Sequence, residues 1–597
     1  MTEGRPVEDR MRRIVVTCAV VAVILAAGSA PAGGQSATPS PEEKVTFTVG
    51  VTYDLNSANP IWSLDGNEWM VHGLEYDGLL RYGREDYALE REMVDSYETS
   101  ADGLTWTFHL KDGLTWSDGQ PVTADDFVWT ANFIIDNDIA LWSDGYRYTK
   151  DIVARDDRTI VWTTTRPSLA PGWPGYNLTL PKHVWDGMSK QDAKDFKNFP
   201  DPVVSGPYRL VEWETGEYWK LEARDDYYGG EPLIDELVFR VYNNDEAVIQ
   251  ALLKGAIDYT EVPTSEFHER LKDEPGIESV ATAAEGFYQL SFNLASDPSS
   301  TANPAVLDPE VRRAVDAAID KETLIDRVLG GYGAPANSPI AAVYPFWHWD
   351  PPPDQLVTFD PARARSMLDD AGYLDSDGDG IRELPGSGEP LQLRLFTSAD
   401  DKDGNDAAEY IQSWLRDVGI DTAYRTMAWS KLLNIWYDFD WDLLISSWSN
   451  LPDPDWLLSS FTTGQCGSWS DTCYSNPTYD DLYAEQQATL DRSARQAIVF
   501  EMQEILYRDM PEIQLWYPNF FEAWRSDRWT GFLPWPEPDG LRFHLYSIMN
   551  IRPVTGVATT GPDAGPPGVF WIAVVALTGL LVLLTRVRHR RADAYYA

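Results

Sequence analysis

The stretch Asp375-Ser376-Asp377-Gly378-Asp379-Gly380-Ile381-Arg382-Glu383 carries carboxylates at alternate positions, with a glycine where a tight loop must turn. Hard oxygen donors at that spacing suit a calcium ion, with Asp375, Asp377, Asp379 and Glu383 as candidate ligands in a structural role. The stretch departs from an EF-hand loop, because Gly386 holds the twelfth position, where a bidentate Glu is expected. A solvated acidic turn is the competing reading. Cys466 and Cys473 form the second constellation. With Cys18 lost in a cleaved N-terminal segment they leave one even pair, and an oxidising compartment would join them in a disulfide. The seven histidines, at 72, 109, 183, 268, 348, 544 and 589, show no metal-ligand spacing. The sequence also contains no His-Glu-x-x-His, no Gly-x-Ser-x-Gly and no P-loop. It therefore predicts no catalytic residue, and any process driven by ATP needs a partner ATPase.

These residues sit in a chain of 597 with 48 basic and 94 acidic side chains, a formal charge of −46. Such a surface repels phosphate backbones, which excludes nucleic acid as a partner. The 25 Trp, 29 Tyr and 21 Phe suffice for large cores and aromatic-walled pockets. Arg10, Arg12 and Arg13 precede an apolar run and the small residues Ala30-Pro31-Ala32, the order of a secretory signal, so 1–32 is expected to be removed. At the other end, residues 569–585 are uncharged and are followed by Arg586, Arg588, Arg590 and Arg591. That pattern predicts a C-terminal transmembrane helix with 586–597 in the cytoplasm. The expected location is thus the cell membrane, single-pass, with the body on the extracytoplasmic side. Segments 33–43 and 552–568, rich in small residues, Gly and Pro, read as linkers.

The body must then supply the elements that position any site. Val45-Thr46-Phe47-Thr48-Val49 alternates like a strand. Residues 104–110 alternate, break at Lys111-Asp112-Gly113 and resume at Leu114-Thr115-Trp116, which predicts a hairpin-rich segment. Thr123 is the expected N-cap of a helix through Phe127, Ala131 and Ile134. Further helices are expected over 245–254, 309–329, 361–371 and 406–417, with strands at 237–241 and 420–424. Strands alternating with helices, interrupted by a hairpin-rich insertion, read as α/β lobes plus a small β-rich subdomain.

Asp102-Gly103-Leu104-Thr105-Trp106-Thr107-Phe108, Leu110-Lys111-Asp112-Gly113 and Asp118-Gly119-Gln120-Pro121-Val122-Thr123-Ala124-Asp125-Asp126-Phe127 together resemble the signature of family 5 extracellular solute-binding proteins. Tyr76-Asp77-Gly78-Leu79, Ser205-Gly206-Pro207-Tyr208, Leu253-Lys254-Gly255-Ala256-Ile257-Asp258, Phe292-Asn293-Leu294, Val311-Arg312-Arg313-Ala314-Val315 and Ala371-Gly372-Tyr373 follow in the family's order. The resemblance covers about 44–532. It implies a two-lobed periplasmic-binding-protein-like α/β fold with an extra β-rich subdomain on lobe I, to which the sequence adds the C-terminal transmembrane helix. Transferring the layout gives lobe I at 44–289 with the insertion at about 80–203, lobe II at 290–515 and a return to lobe I at 516–551. The crossing strands would lie near 288–294 and 513–517. The family serves ABC importers of peptides, nickel and some oligosaccharides, so an ABC permease, its ATPase subunits and the membrane are the implied partners.

By the same resemblance, the ligand loop is Ser447-Trp448-Ser449-Asn450-Leu451-Pro452-Asp453-Pro454-Asp455-Trp456. Peptide-binding relatives place an ammonium-binding Asp three residues after the first Trp. Here that position is Leu451, with Asn450 beside it. An ammonium taken out of water needs a charged partner, which leaves Asp453 or Asp455 for the task. Trp448, Trp456 and Trp429 read either as pocket walls or as packing between lobes. The expected function is an extracellular solute-binding protein delivering a small ligand, a peptide before an oligosaccharide, to an ABC permease. A surface carbohydrate-active enzyme is the alternative from another class.

Overall fold

The computed structural model describes residues 44–555, apart from 64–65, 140–141, 168–170 and 172–176. Thr46–Val51 pairs in parallel with Glu236–Val241 on one side and Tyr259–Val262 on the other. Tyr208–Glu214 and Tyr218–Ala223 extend that half of the sheet. A second half is built from Gly286–Phe292, Leu443–Ser449, Gln392–Ser398 and Asp421–Met427. The 13-residue strand Glu512–Trp524 joins the two. Its C-terminal part pairs with Tyr259–Val262 and Glu278–Ala283, its N-terminal part with Gly286–Phe292. The result is a two-lobed α/β fold with mixed sheets, whose crossings run through 278–292 and 512–524.

Each half buries its own core. Phe47, Trp219, Phe239 and Tyr259 lie in one, and Leu290, Val315, Leu393, Ile411 and Leu515 in the other. A separate four-stranded antiparallel sheet, Val94–Thr99, Thr105–Leu110, Thr159–Thr164 and Thr149–Asp156, packs under the helix Ala124–Asn137. That helix begins at Thr123, whose backbone N–H donates to Asp126 at 2.8 Å, the reciprocal half of a capping box. Two of the motifs acquire a physical reason. At Gly206 a Cβ would meet the Leu74 carbonyl oxygen at 2.4 Å, so only glycine permits that approach. Buried Arg312 donates to the carbonyls of Val306, Leu307, Asp509 and Met510, tying the C-terminus of the helix Arg492–Asp509 to the lobe.

Local expectations shift in two places. Residues 114–116 form no second strand; Thr115 makes one isolated bridge to Pro121 around the Asp118-Gly119 turn, and Thr105–Leu110 pairs outward with its two long-range neighbours. The helix expected over 309–329 is two, Pro309–Ala318 and Lys321–Val328, because Asp320 accepts from the Thr323 N–H and starts a new helix.

The expectation of a transmembrane helix is corrected. Among the described residues no helix is long and apolar enough to cross a membrane. The 18-residue helix Arg492–Asp509 illustrates why, since it carries Arg and Glu along its length. The apolar run 569–585 and the signal segment 1–32 lie outside the described residues. Over the described residues the fold class is therefore the two-lobed α/β fold without an added helix, so the transmembrane helix, the membrane as partner and the single-pass location are not carried forward.

Candidate functional site

Where the two halves face each other lies a cavity of about 1040 Å³. One wall comes from the ends of Thr46–Val51 and Tyr259–Val262, with Tyr53 and the turn into the helix Ser265–Leu271. The opposite wall is made by the loop at 398–403, Trp429 and Ser446-Ser447; Pro518 to Phe521 of the crossing strand close the floor. The cavity is thus bounded by both lobes and by the strand that joins them, the place where a lobe movement changes its volume.

Local structure fixes its side chains. Asp401 caps the helix Lys402–Asp417 by accepting from the Gly404 N–H at 3.0 Å and takes a further bond from the Tyr288 hydroxyl at 3.1 Å. Thr260 turns its hydroxyl onto the Gly50 carbonyl at 3.0 Å, while Val262 packs inward against Val248 and Leu271. By strand alternation Tyr259 and Glu261 share the other face. Tyr259 stacks on Phe543 with centroids 4.3 Å apart, and Glu261 stands one step further on, where packing ends and the cavity begins.

Of the six residues expected to bind ligand, Trp429 stands on the cavity wall, 44% exposed, with its inner edge against Trp436. The wall reaches Ser447 and stops short of Trp448. Trp456 packs edgewise on Trp448, at 5.4 Å, and on Trp469, while the rings of Trp448 and Trp469 are tilted against each other. The indole N–H of Trp448 donates to Asp471, which also accepts from Gln289. Burial pushes the Asp471 carboxyl up to about 7 against those two bonds. Asn450 is buried and bonded to the Ala341 N–H and the Pro339 carbonyl. Asp453 receives both terminal nitrogens of Arg495, at 2.6 and 2.7 Å. Burial works to raise its pKa, and the guanidinium overcomes this and holds it below the usual range. Asp455 accepts from Gln486 and Gln487 at 2.6 and 2.8 Å. Both loop carboxylates therefore spend their charge within the protein.

Cys466 and Cys473 are joined in a disulfide that closes the loop carrying Trp469. Oxygen atoms of Asp375, Asp377 and Glu383 lie within 4.8 Å of one another; Asp379 stands outside this group and accepts instead from the Ile381 N–H. Glu261 was not singled out by the sequence reading. Its signal was present all the same: a carboxylate on the face of a short strand, Tyr259–Val262, whose other members are buried.

A family model described as "Bacterial extracellular solute-binding proteins, family 5 Middle" matches residues 88–469. The chain is 25% identical over 517 residues to the oligopeptide-binding protein AppA of Bacillus subtilis, covering 84% of this chain and 92% of that one. It is 24% identical over 507 residues to the dipeptide-binding protein of Escherichia coli, covering 81% and 88%. Among solved structures, AppA of Bacillus subtilis in complex with a nonapeptide superposes with a TM-score of 0.66 at 24% identity, covering 86% of this chain and all of that one.

Proposed function

The chain belongs to the bacterial extracellular solute-binding proteins of family 5, and from that premise we propose that its interlobe cavity receives a peptide and presents it to an ABC import permease driven by ATPase subunits. The observation that carries this reading is the cavity itself. At about 1040 Å³, between two lobes, it is at the upper end of the range for small-molecule sites and has room for an extended ligand of several residues. The relatives named as oligopeptide- and dipeptide-binding proteins, matched over most of their lengths, favour peptide over sugar. The role is capture and transfer, without turnover of the ligand. Affinity follows from how much better the closed arrangement of lobes holds the ligand than the open one.

Isothermal titration of the full chain with a peptide library and with neutral oligosaccharides tests this. Peptide binding that saturates at one site supports the assignment; binding of oligosaccharides alone refutes it. A structural calcium ion in the loop at 375–383 is a separate proposal, supported by the three converging carboxylates and independent of the ligand.

A further inference from the structure

The two lobes meet at a second place besides the crossing strands. On lobe II it is the connection between the helices Pro477–Ala488 and Arg492–Asp509, with the helix ends that flank it. Three separate loops from the lobe I side converge there. Asp86 receives Arg492 twice, on its carboxylate at 2.6 Å and on its carbonyl at 3.0 Å. Arg166 donates to the side-chain oxygen of Gln487 at 2.6 Å. Gly103, at φ +68°, lies so near Leu490 that a Cβ there would meet the Leu490 Cδ1 at 2.8 Å.

Each side of this contact is anchored in its own lobe. The loop carrying Asp86 joins the strands Leu80–Tyr82 and Leu89–Arg91 and is tied to the segment that returns to lobe I. The Glu537 N–H donates to the Arg84 carbonyl at 2.8 Å, and the Tyr546 hydroxyl to the Tyr82 carbonyl at 3.0 Å. Arg166 follows the strand Thr159–Thr164 and Gly103 precedes Thr105–Leu110, both strands of the four-stranded sheet. On the other side, the helix Arg492–Asp509 is held at its far end by Arg312 and further along by Gln503, whose amide donates to the Trp347 carbonyl at 2.8 Å. Arg492 itself lies over the Phe346 ring, 3.8 Å from its centroid.

The loop is also strained where it touches lobe II. Tyr87, next to Asp86, adopts φ +54°, a left-handed backbone that an aromatic residue rarely takes. Such a conformation persists only where the surroundings over-determine it, and among them here is Tyr344 of the opposite lobe, with ring centroids 4.9 Å apart. All of these residues stand apart from the cavity wall. A rotation of one lobe about the crossing strands carries the helix connection away from loops that come from three places, so the lobes cannot part with every contact intact.

We infer that this contact is a latch: Asp86 and Arg166, holding the helix connection at 487–492, set how readily the lobes separate and so tune ligand affinity without touching the ligand. The inference rests on the fold and goes beyond the peptide reading, since a latch favours any ligand that prefers the closed arrangement. It also reaches the aromatic loop, because the Gln487 side chain that faces Arg166 donates in turn to Asp455 at 2.8 Å.

The pair of Arg492 and Asp86 is part-exposed, at 32% and 36%, so one variant alone has a small effect and two ties are best removed together. Small-angle scattering of the unliganded full chain is the test. Asp86→Asn keeps the loop's own bond to the Ala88 N–H while removing the ion pair, and Arg166→Gln removes the second tie. The double variant should show a larger radius of gyration than wild type, with each single variant between them, and Asp86→Glu should stay with wild type. A merely structural role would lower the melting temperature and leave the radius of the folded protein unchanged; that result, or a smaller radius, overturns the latch. In calorimetry with tri-alanine as the probe, the double variant should bind roughly two- to tenfold more weakly, the range expected for two part-exposed ties. Equal affinity beside a widened scattering profile would overturn the tuning of affinity. Failure of tri-alanine to bind either protein bears on the peptide reading alone, and the scattering of the unliganded chain decides the latch in both cases.

Discussion

Two acidic regions of this molecule lie close in sequence logic and far apart in physical state. In the aromatic loop, Asp453 and Asp455 are fully engaged by Arg495, Gln486 and Gln487, and the three Trp rings close on one another. In the cavity, Glu261 is exposed on the wall, with no hydrogen bond or ion pair to its carboxylate among the described residues, beside a buried Glu522 that accepts three bonds. Both regions pair carboxylates with aromatic residues, the composition of a ligand site. The difference is whether the protein itself supplies the counter-charge. A group satisfied within the protein holds the fold together, whereas one that opens onto the cavity is met by solvent and stays available to whatever enters.

The largest test concerns Asp471 beneath Trp448, which takes both its bonds on one oxygen while the other is buried without a partner among the described residues. Its folded pKa of about 7 exceeds the unfolded value of 3.8, so the stability it confers is present in full below about pH 4 and is lost as pH rises towards 7. A shift of this size bounds the effect at roughly 4 kcal/mol. Asp471→Asn should flatten that part of the stability profile and abolish a Trp emission change with a midpoint near pH 7. Glu512, which burial and then the neighbouring Asp471 raise well above the ordinary carboxylate range, should keep its own pH dependence in the variant. Urea titrations at stepped pH decide it; an unaltered slope in the variant would mean that the buried network is not where the protein feels pH.

Next is the ion pair. Asp453→Ala leaves the Arg495 guanidinium, 4% exposed, without its anion. Removing one partner of a buried pair costs about 3–5 kcal/mol, and the low end, about 3, applies because the Asp453 end is more than a third open. Peptide affinity of the folded fraction should change less than twofold. A large loss of affinity with intact stability would reverse the comparison and return the ligand to the loop. A third, smaller effect is set by the disulfide. Replacing Cys466 and Cys473 by Ser frees a loop with a sequence separation of seven and should cost about 2 kcal/mol by the chain-entropy argument, again with little change in affinity.

The comparison also marks what the sequence could disclose. Fold and family were legible because the motifs that carry them are short runs of chain, such as the one from Asp118 to Phe127 with its Thr123 cap; the contacts that explain Gly206 and Arg312 reach Leu74 and Asp509, far along the chain. The loop from Trp448 to Trp456 was legible as a stretch of chain, but its state was not, since Arg495 approaches from 42 residues away. The helix expected over 309–329 is two because the Asp320 side chain caps the second, a role that a polar residue in a helical pattern does not reveal by itself.

The smallest expected effect concerns the loop at 375–383, which belongs to neither region and tests whether satisfaction by backbone donors suffices. Ser376 N–H donates to Glu383, and Gly378 and Gly380 N–H donate to Asp375, at 2.7, 2.8 and 3.1 Å. These bonds hold the loop in shape without an ion. Yet calcium–oxygen distances of 2.3–2.6 Å place opposed ligands about 5 Å apart, so oxygens of Asp375, Asp377 and Glu383 within 4.8 Å of one another can surround one ion. At an ion concentration about five times its Kd, linkage gives about 1 kcal/mol of stabilisation. Adding a chelator should therefore lower the melting temperature slightly. Asp377→Ala should remove that sensitivity, whereas Asp379→Ala, whose carboxylate serves the Ile381 N–H, should keep it. If the melting curve is the same with and without chelator, the backbone donors alone satisfy the loop, and it stands with the aromatic loop as a self-contained acidic cluster.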